Sequence, residues 1–381
     1  MRRSSRLSRD DDIVDIAVKR RKSSDGGRDS AVPTSALRSA WDEFLATNLF
    51  LKVPPDFYNV FDLASTLRPE SPCEAFVETL GLRLCGPFDL FVAAKQKSVA
   101  IDKPLYLHGR YYFDPPEVAT VLSDSDSDHG QHWGYFRDAP DQVPEYVVCA
   151  PSSDECKFNI VASSLVHVLK NRLKKRQSTL GKTKVATLLK KMEAYIEEET
   201  APSVKKLQAK RKKEMVAASL HQLGIVVPVD TRTETGYRDL PITGKDLAQL
   251  LHQLKRDVKT QSVARNRLSE LVTRATIASD ECDFGTSLLL GLDVFTAGSC
   301  LEKEALQLLR VAYMLLRRAD FYKIVSGHCT YRKGGESGAC INSIVSSTSN
   351  ALRADIQSKH VTTAVVLPPM FPNNERSKQS H

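Results

Sequence analysis

Asp280-Glu281-Cys282-Asp283-Phe284-Gly285 places three carboxylates within four consecutive residues. Carboxylates this close repel one another, which makes one of them a better proton acceptor near neutral pH, the property of a general base. A plainer role fits the same residues, in which Asp280 and Asp283 cap a helix and Glu281 is solvated. The flanks indicate what must position them. Leu268, Leu271, Val272 and Ala275 recur at helical spacing upstream, and Leu288, Leu289, Leu292 and Phe295 do so downstream. With Gly285 as the chain reversal, this spacing predicts a helix–helix corner carrying the acidic cluster.

At 381 residues the chain is long enough for one large or two modest domains, and its 41% apolar content supports real cores. A net charge of +8 and a pI near 9.0 favour anionic partners or basic surface segments. The basicity is regional: residues 170–213 hold 15 Lys/Arg against 4 Glu, a net of +11, which leaves the remainder at about −3. Contact with nucleic acid or another phosphate polymer fits this region, and so does a charged outer helix face. No recognition-helix, RNA-binding or zinc-finger motif chooses between them. No run approaches the roughly 18 apolar residues of a membrane span, so no membrane contact is expected. Arg2, Arg3, Arg6 and Arg9 lead into no apolar segment, so no secretory signal is expected either. The cysteines are scattered without a CxxC pair, and Cys149, Cys156, His129 and His132 lack zinc-ligand spacing. No metal is expected, and the thiols read as reduced, in cytosol or nucleus.

Taken in order, residues 1–34 are polar and basic, with too few apolar groups to order themselves. Within them Lys19-Arg20-Arg21-Lys22 reads as a nuclear import signal or as a solvated charge run. Residues 35–160 read as an α+β domain. Trp41, Phe44 and Leu45 share a helical face, and Phe57, Tyr58 and Phe61 repeat the pattern before Pro69 and Pro72 end it. Leu82 to Cys85, Leu105 to Phe113, Glu117 to Leu122, His132 to Phe136 and Tyr146 to Cys149 read as strands of a small, mainly antiparallel sheet, with Ser123 to Asp128 as an acidic loop. The aromatics at 111–113, 133, 135 and 136 fit a sheet core better than a base-stacking platform. Residues 161–325 read as a mostly helical domain, with an apolar stripe at Val185, Leu188, Leu189, Met192, Tyr195 and Ile196. Ile225 to Val229 reads as a short strand leading into the polar loop Asp230 to Leu240, and Thr243 as the cap of the next helix. Ala305, Leu308, Leu309, Ala312, Tyr313 and Leu316 make the last strong amphipathic helix, and residues 326–381 read as a loose tail.

Several segments together resemble the histone PARylation factor family, accessory factors of nuclear poly(ADP-ribose) polymerases. The residues that carry the likeness begin with Pro55-Asp56-Phe57-Tyr58, Leu80-Gly81-Leu82, Gly86-Pro87-Phe88-Asp89 and Tyr112-Phe113-Asp114-Pro115-Pro116-Glu117. Gly134-Tyr135-Phe136-Arg137-Asp138, Val226-Val227-Pro228-Val229-Asp230 and Gly236-Tyr237-Arg238 follow. Asp280-Glu281-Cys282-Asp283 and Gly291-Leu292-Asp293-Val294-Phe295 complete the set. Each is short, and their joint order across roughly residues 40 to 325 is what makes the likeness specific.

The resemblance implies a strand-containing N-terminal part and a mostly helical C-terminal part. It implies a protein inert alone that docks beside the NAD site of a nuclear polymerase and redirects modification to serines of histones and other chromatin proteins in the DNA damage response. Glu281 matches the family's catalytic base, Tyr237, Arg238 and Asp280 match its docking surface, and NAD comes with the partner enzyme. Asp283 would act as a supporting carboxylate. Arg238 suits a partner's carboxylate or chain terminus, and an arginine that only braces its loop against Asp239 is the plainer alternative. Ile277, four residues before Glu281, stands where members of the family carry an aromatic ring. The other function that fits is a non-catalytic chromatin scaffold binding poly(ADP-ribose) or DNA through the basic helices of residues 170–213.

Overall fold

The computed structural model describes residues 35–94, 98–126, 129–195, 201–256, 261–332, 340–344 and 363–370. The import-signal residues Lys19 to Lys22, with the whole of 1–34, and Ile196 lie outside them, as does the end of the acidic loop at 127–128.

Aromatic residues build the N-terminal core. Helix α1 (Ser35–Asn48) and helix α2 (Asp56–Leu67) turn Trp41, Phe57, Tyr58 and Phe61 inward. After the short α3 (Val77–Leu80), helix α4 (Pro87–Ala93) adds Phe88 and Phe91. Trp41 meets Phe91 edge-on with centroids 4.4 Å apart, and Phe57 stacks on Phe88 at 4.3 Å.

These helices cover one face of an antiparallel sheet. Its strands are β1 (Leu82–Leu84), β3 (Val118–Asp124), β4 (His132–Phe136), β5 (Val147–Ala150) and β6 (Asn159–Ala162), in the order β1-β3-β4-β5-β6. A separate pair joins β2 (Ser98–Ile101) to β7 (Thr363–Val366). Tyr135 lies opposite Ala119 and Val147, and all three face the aromatic core. Val118, Phe136 and Val148 face the other way, onto Phe158, Leu207 and Leu223. Burial on both faces explains why Val118 to Leu122 shows no apolar–polar alternation. Of the aromatics read as sheet core, Tyr111, Trp133, Tyr135 and Phe136 are buried.

Past the sheet, α5 (Leu165–Lys175), α6 (Gln177–Leu180) and α7 (Lys182–Glu193) return to the N-terminal core, where Leu165, Leu169, Leu173, Val185, Leu188 and Met192 pack. Helix α8 (Val204–Glu214) covers the opposite sheet face. It is anchored by buried Arg211, whose guanidinium donates to both carboxylate oxygens of Asp138 at 2.5 and 2.9 Å.

The second core is helical. It joins α9 (Gly244–Arg256), α10 (Gln261–Asp280), α11 (Phe284–Phe295), α12 (Glu302–Leu315) and α13 (Ala319–Tyr331). Thr243 caps α9 as its sequence position suggests, its hydroxyl accepting from Asp246 N at 3.2 Å. Helix α11 packs against α10 and α12 and buries residues on every side, which is why its sequence is mostly apolar and its Thr286, Ser287 and Asp293 are buried too. Gly291 in its middle lets α12 approach, since a Cβ there would lie 2.8 Å from Leu309. The Tyr313 hydroxyl on α12 donates to buried Glu117 at 2.6 Å, stitching the helical core to the sheet.

The architecture is α+β, with the sheet in the N-terminal part and helices in the C-terminal part. Four local expectations are corrected. Leu105 to Phe113 is a 3-10 turn at Leu105–Leu107 followed by irregular chain, because Gly109 (φ 80°) breaks the extended path and Tyr111 meets Cys340 through a single bridge. Ile225 to Val229 likewise makes only an isolated bridge, Ala217 to Ile225. The reversal between α10 and α11 falls at Cys282, while Gly285 is already inside α11. Within the segment read as a tail, α13 continues to Tyr331, β7 pairs with β2, and Leu367 and Met370 are buried against the N-terminal core. No helix among the described residues is long and apolar enough to cross a membrane.

Candidate functional site

The acidic corner is made by the way α10 stops. Asp283 N donates to Ala278 O at 2.8 Å and Cys282 N to Ser279 O at 3.1 Å, the paired bonds of a Schellman cap. That cap requires a left-handed residue one position past the helix, and Cys282 supplies it with φ 72°. Glu281 is therefore the capping residue itself, held by its own N–H to Ile277 O and Ala278 O, both at 3.1 Å. Two carboxylates, Asp280 and Glu281, thus stand at the negative end of a 20-residue helix, where the macrodipole disfavours them.

The loop 230–240 is clamped to the start of α11. Buried Asp283 accepts from Gly236 N at 2.8 Å, and Gly285 N donates to Gly236 O at 2.8 Å. No side chain fits between them, since a Cβ on Gly285 would lie 2.8 Å from Val227 Cγ2 and 2.9 Å from Gly236 O. Thr286 then grips the next residue but one from both sides. Its hydroxyl accepts from Arg238 N at 2.9 Å and donates to Arg238 O at 2.8 Å. With its backbone fixed, Arg238 turns its fork onto the corner. Nε donates to Asp283 Oδ2 at 2.9 Å, and Nη2 reaches Asp283 Oδ2 at 2.7 Å and Glu281 Oε2 at 2.5 Å.

These contacts separate the three carboxylates that crowd in the sequence. Asp283 points inward with its side chain 4% exposed, whereas Glu281 points outward at 54%. One guanidinium lies against both, so their repulsion is offset by a cation that the local sequence does not contain. Hydrogen bonds donated to Glu281 first, then to Asp283, raise the Arg238 guanidinium above its ordinary value. Asp239 does not brace Arg238; it accepts the Tyr237 hydroxyl at 2.8 Å. Burial, and then that bond, push the Tyr237 phenol upward. Asp280 ends α10 exposed to solvent, and Ile277, one turn earlier, is also exposed.

Beside the corner a cleft of about 290 Å³ is lined by Tyr237, Arg238, Leu240, Leu247, Leu289 and Asp293. Asp293 accepts Leu220 N at 2.7 Å, and burial lifts its carboxyl to about 7. Another cleft, of about 610 Å³, lies between α2, the start of α5 and α8 and shares no residue with the corner. Among the described residues no group of three or more His, Cys, Asp or Glu is placed to hold a metal. Tyr237, Arg238, Asp280 and Glu281, named from sequence, thus meet at one corner of the surface, and Asp283 lies buried beneath it. Thr286 and Asp293 were missed; a threonine in a first helical turn and an aspartate in an apolar helix carry no sequence signal for these contacts.

Chemically, the corner offers a solvent-facing carboxylate held by a loop arginine, on a surface and not in a closed pocket. Fold and corner define an α+β protein with an exposed charged edge where α10 meets α11. The histone PARylation factor 1 family profile matches residues 40–332, and the chain belongs to that family. It is 34% identical to histone PARylation factor 1 of Mus musculus over 296 residues, 75% of this chain and 85% of that protein. It is 35% identical to the Bos taurus protein of the same name over 303 residues, covering 74% and 84%. The Danio rerio protein is 33% identical over 291 residues, covering 74% and 83%.

Proposed function

We propose that this chain is an accessory factor of histone PARylation that completes the active site of a nuclear poly(ADP-ribose) polymerase. Glu281 is the general base. A serine hydroxyl is a weak nucleophile at neutral pH and needs a positioned acceptor for its proton. As the serine oxygen bonds to the ribose carbon of NAD, the bond to nicotinamide breaks and its electron pair leaves with nicotinamide. The serine proton passes to the Glu281 carboxylate, whose negative charge also favours the oxocarbenium-like transition state. NAD belongs to the partner enzyme. Family membership supports the role in histone PARylation, and the observation that carries the mechanism is the outward Glu281 held at 2.5 Å by Arg238.

Arg238, Tyr237 and Asp280 form the docking edge. Arg238 spends Nε and Nη2 on the corner, and Nη1 makes no hydrogen bond among the described residues. That leaves one guanidinium edge for a partner's carboxylate or chain terminus. Asp283 holds the arginine in place. The protein acts in the nucleus on histones and other chromatin proteins at damaged DNA.

The test combines the purified chain, a poly(ADP-ribose) polymerase, NAD, DNA ends and a histone peptide. Glu281→Gln should abolish serine modification and still bind the polymerase. Serine modification at the wild-type level would refute the catalytic role and leave a non-catalytic scaffold as the reading.

A further inference from the structure

Between Glu155 and Glu193 the chain contains ten Lys/Arg and no acidic residue. The fold gathers most of them on the helical hairpin of α5, α6 and α7, whose inner face is fixed to the N-terminal core by Leu169, Leu173, Val185, Leu188 and Met192. Three of the cations have structural partners. Arg172 pairs with Asp124 at 2.9 Å, Arg176 with Asp126, and Lys170 approaches Glu193 at 3.9 Å. Lys174, Lys175, Lys182, Lys184, Lys190 and Lys191 are exposed, and none has a carboxylate within ion-pair distance among the described residues.

A merely solvated helix face does not account for this pattern. Surface lysines that stabilise helices sit three or four residues from an acid, and of these six only Lys190 does, with Glu193 three residues on. Lys182 and Lys184 lie in the first turn of α7, the end at which the macrodipole disfavours cations. Lys184 and Lys191 are seven residues apart, two turns along one flank, and so about 10 Å apart on a rigid rod. The hairpin also lacks Phe, Tyr and Trp, none of which occurs between Phe158 and Tyr195. Proteins that hold single strands stack bases on aromatic side chains. A rigid cationic face without such platforms suits a stiff, closely charged, base-paired polymer read through its backbone.

We infer that the outer face of the α5–α7 hairpin binds the phosphate backbone of duplex DNA without reading its sequence. The site is independent of the Glu281 corner and shares no residue with it. Duplex rather than poly(ADP-ribose) is the occupant, because the latter is a flexible strand whose exposed adenines would call for stacking surfaces.

The experiment measures anisotropy of a labelled duplex of about 20 base pairs against the full chain over a range of salt. Substituting Lys174, Lys175, Lys182 and Lys184 by Gln should weaken binding at least tenfold at low salt and lower the log–log salt slope by about 3 to 4. The matching variant on α8, with Lys205, Lys206, Lys212 and Lys213 changed to Gln, should keep most of the affinity, as should neutralisation of Lys19 to Lys22. Circular dichroism of each variant confirms folding. The inference is overturned if the wild-type chain binds no duplex or if the hairpin variant keeps the slope. It is also overturned if single-stranded DNA or poly(ADP-ribose) is bound in preference to duplex through these lysines.

Discussion

Replacing Asp283 separates the two tasks its carboxylate performs. Oδ1 accepts Gly236 N at 2.8 Å, in a place where Asp283 is 3% exposed and no water can take over. Asp283→Ala strands that buried N–H, which costs about 1–3 kcal/mol, and also frees the loop that carries Tyr237 and Arg238. Asp283→Asn is different. The amide oxygen can still accept Gly236 N, so the loop clamp stays and the loss of stability should be smaller than for alanine. Its NH₂ group would then face Nε and Nη2 of Arg238, donor against donor, and the guanidinium would lose its inner support. The assays are urea denaturation for stability and calorimetric titration onto the polymerase's catalytic region for docking. Alanine should fail in both, and asparagine chiefly in docking. Equal loss of stability in the two variants would refute the division of roles, and full docking by Asp283→Asn would show that Arg238 needs no inner carboxylate.

Cys282→Gly should stabilise the chain by up to about 1 kcal/mol, since φ 72° strains any side chain and glycine removes that strain. A melting temperature no higher than wild type would contradict the Schellman reading. Asp293→Asn tests the buried carboxyl beside the cleft. Burial raises it from 3.8 to about 7, so the folded chain keeps a proton that the unfolded chain has released. The stability tied to this group is full below about pH 4 and is lost as pH rises through 7. Asparagine stays neutral and can keep the Leu220 bond, so the variant should gain on wild type between pH 5 and 8, by roughly 1–4 kcal/mol. A pH-independent difference in melting temperature would mean that Asp293 is ionised in the fold throughout.

Much of the helical architecture was legible in the sequence. The stripes at 185–192, 247–254 and 305–313 repeat every 3.6 residues because one face of each helix must leave water. Thr243 declared its helix start, and His132 to Phe136 its strand, for equally local reasons. Leu105 to Phe113 misled because apolar and aromatic residues suit both a strand and a packed irregular segment; Gly109 and the distant residues 340–344 decided between them. The fate of residues 363–366 was hidden for a related reason, since β7 is completed by β2, more than 250 positions away.

The candidate site divides the same way. Sequence alone placed Asp280, Glu281 and Asp283 at a corner between two helices, because the hydrophobic period is written in consecutive residues; the reversal itself falls at Cys282 and not at Gly285. It also marked Arg238 as a loop cation with a motif around it. That this arginine lies on Glu281 and Asp283 rather than on Asp239, and that Asp283 turns inward while Glu281 turns out, was decided only by the tertiary structure. The physical reason is that an ion pair across more than 40 positions depends on how tightly two backbones approach. Here that approach was set by Gly285 and Gly236, which leave no room for a side chain, and by the Thr286 hydroxyl that holds Arg238 from both sides.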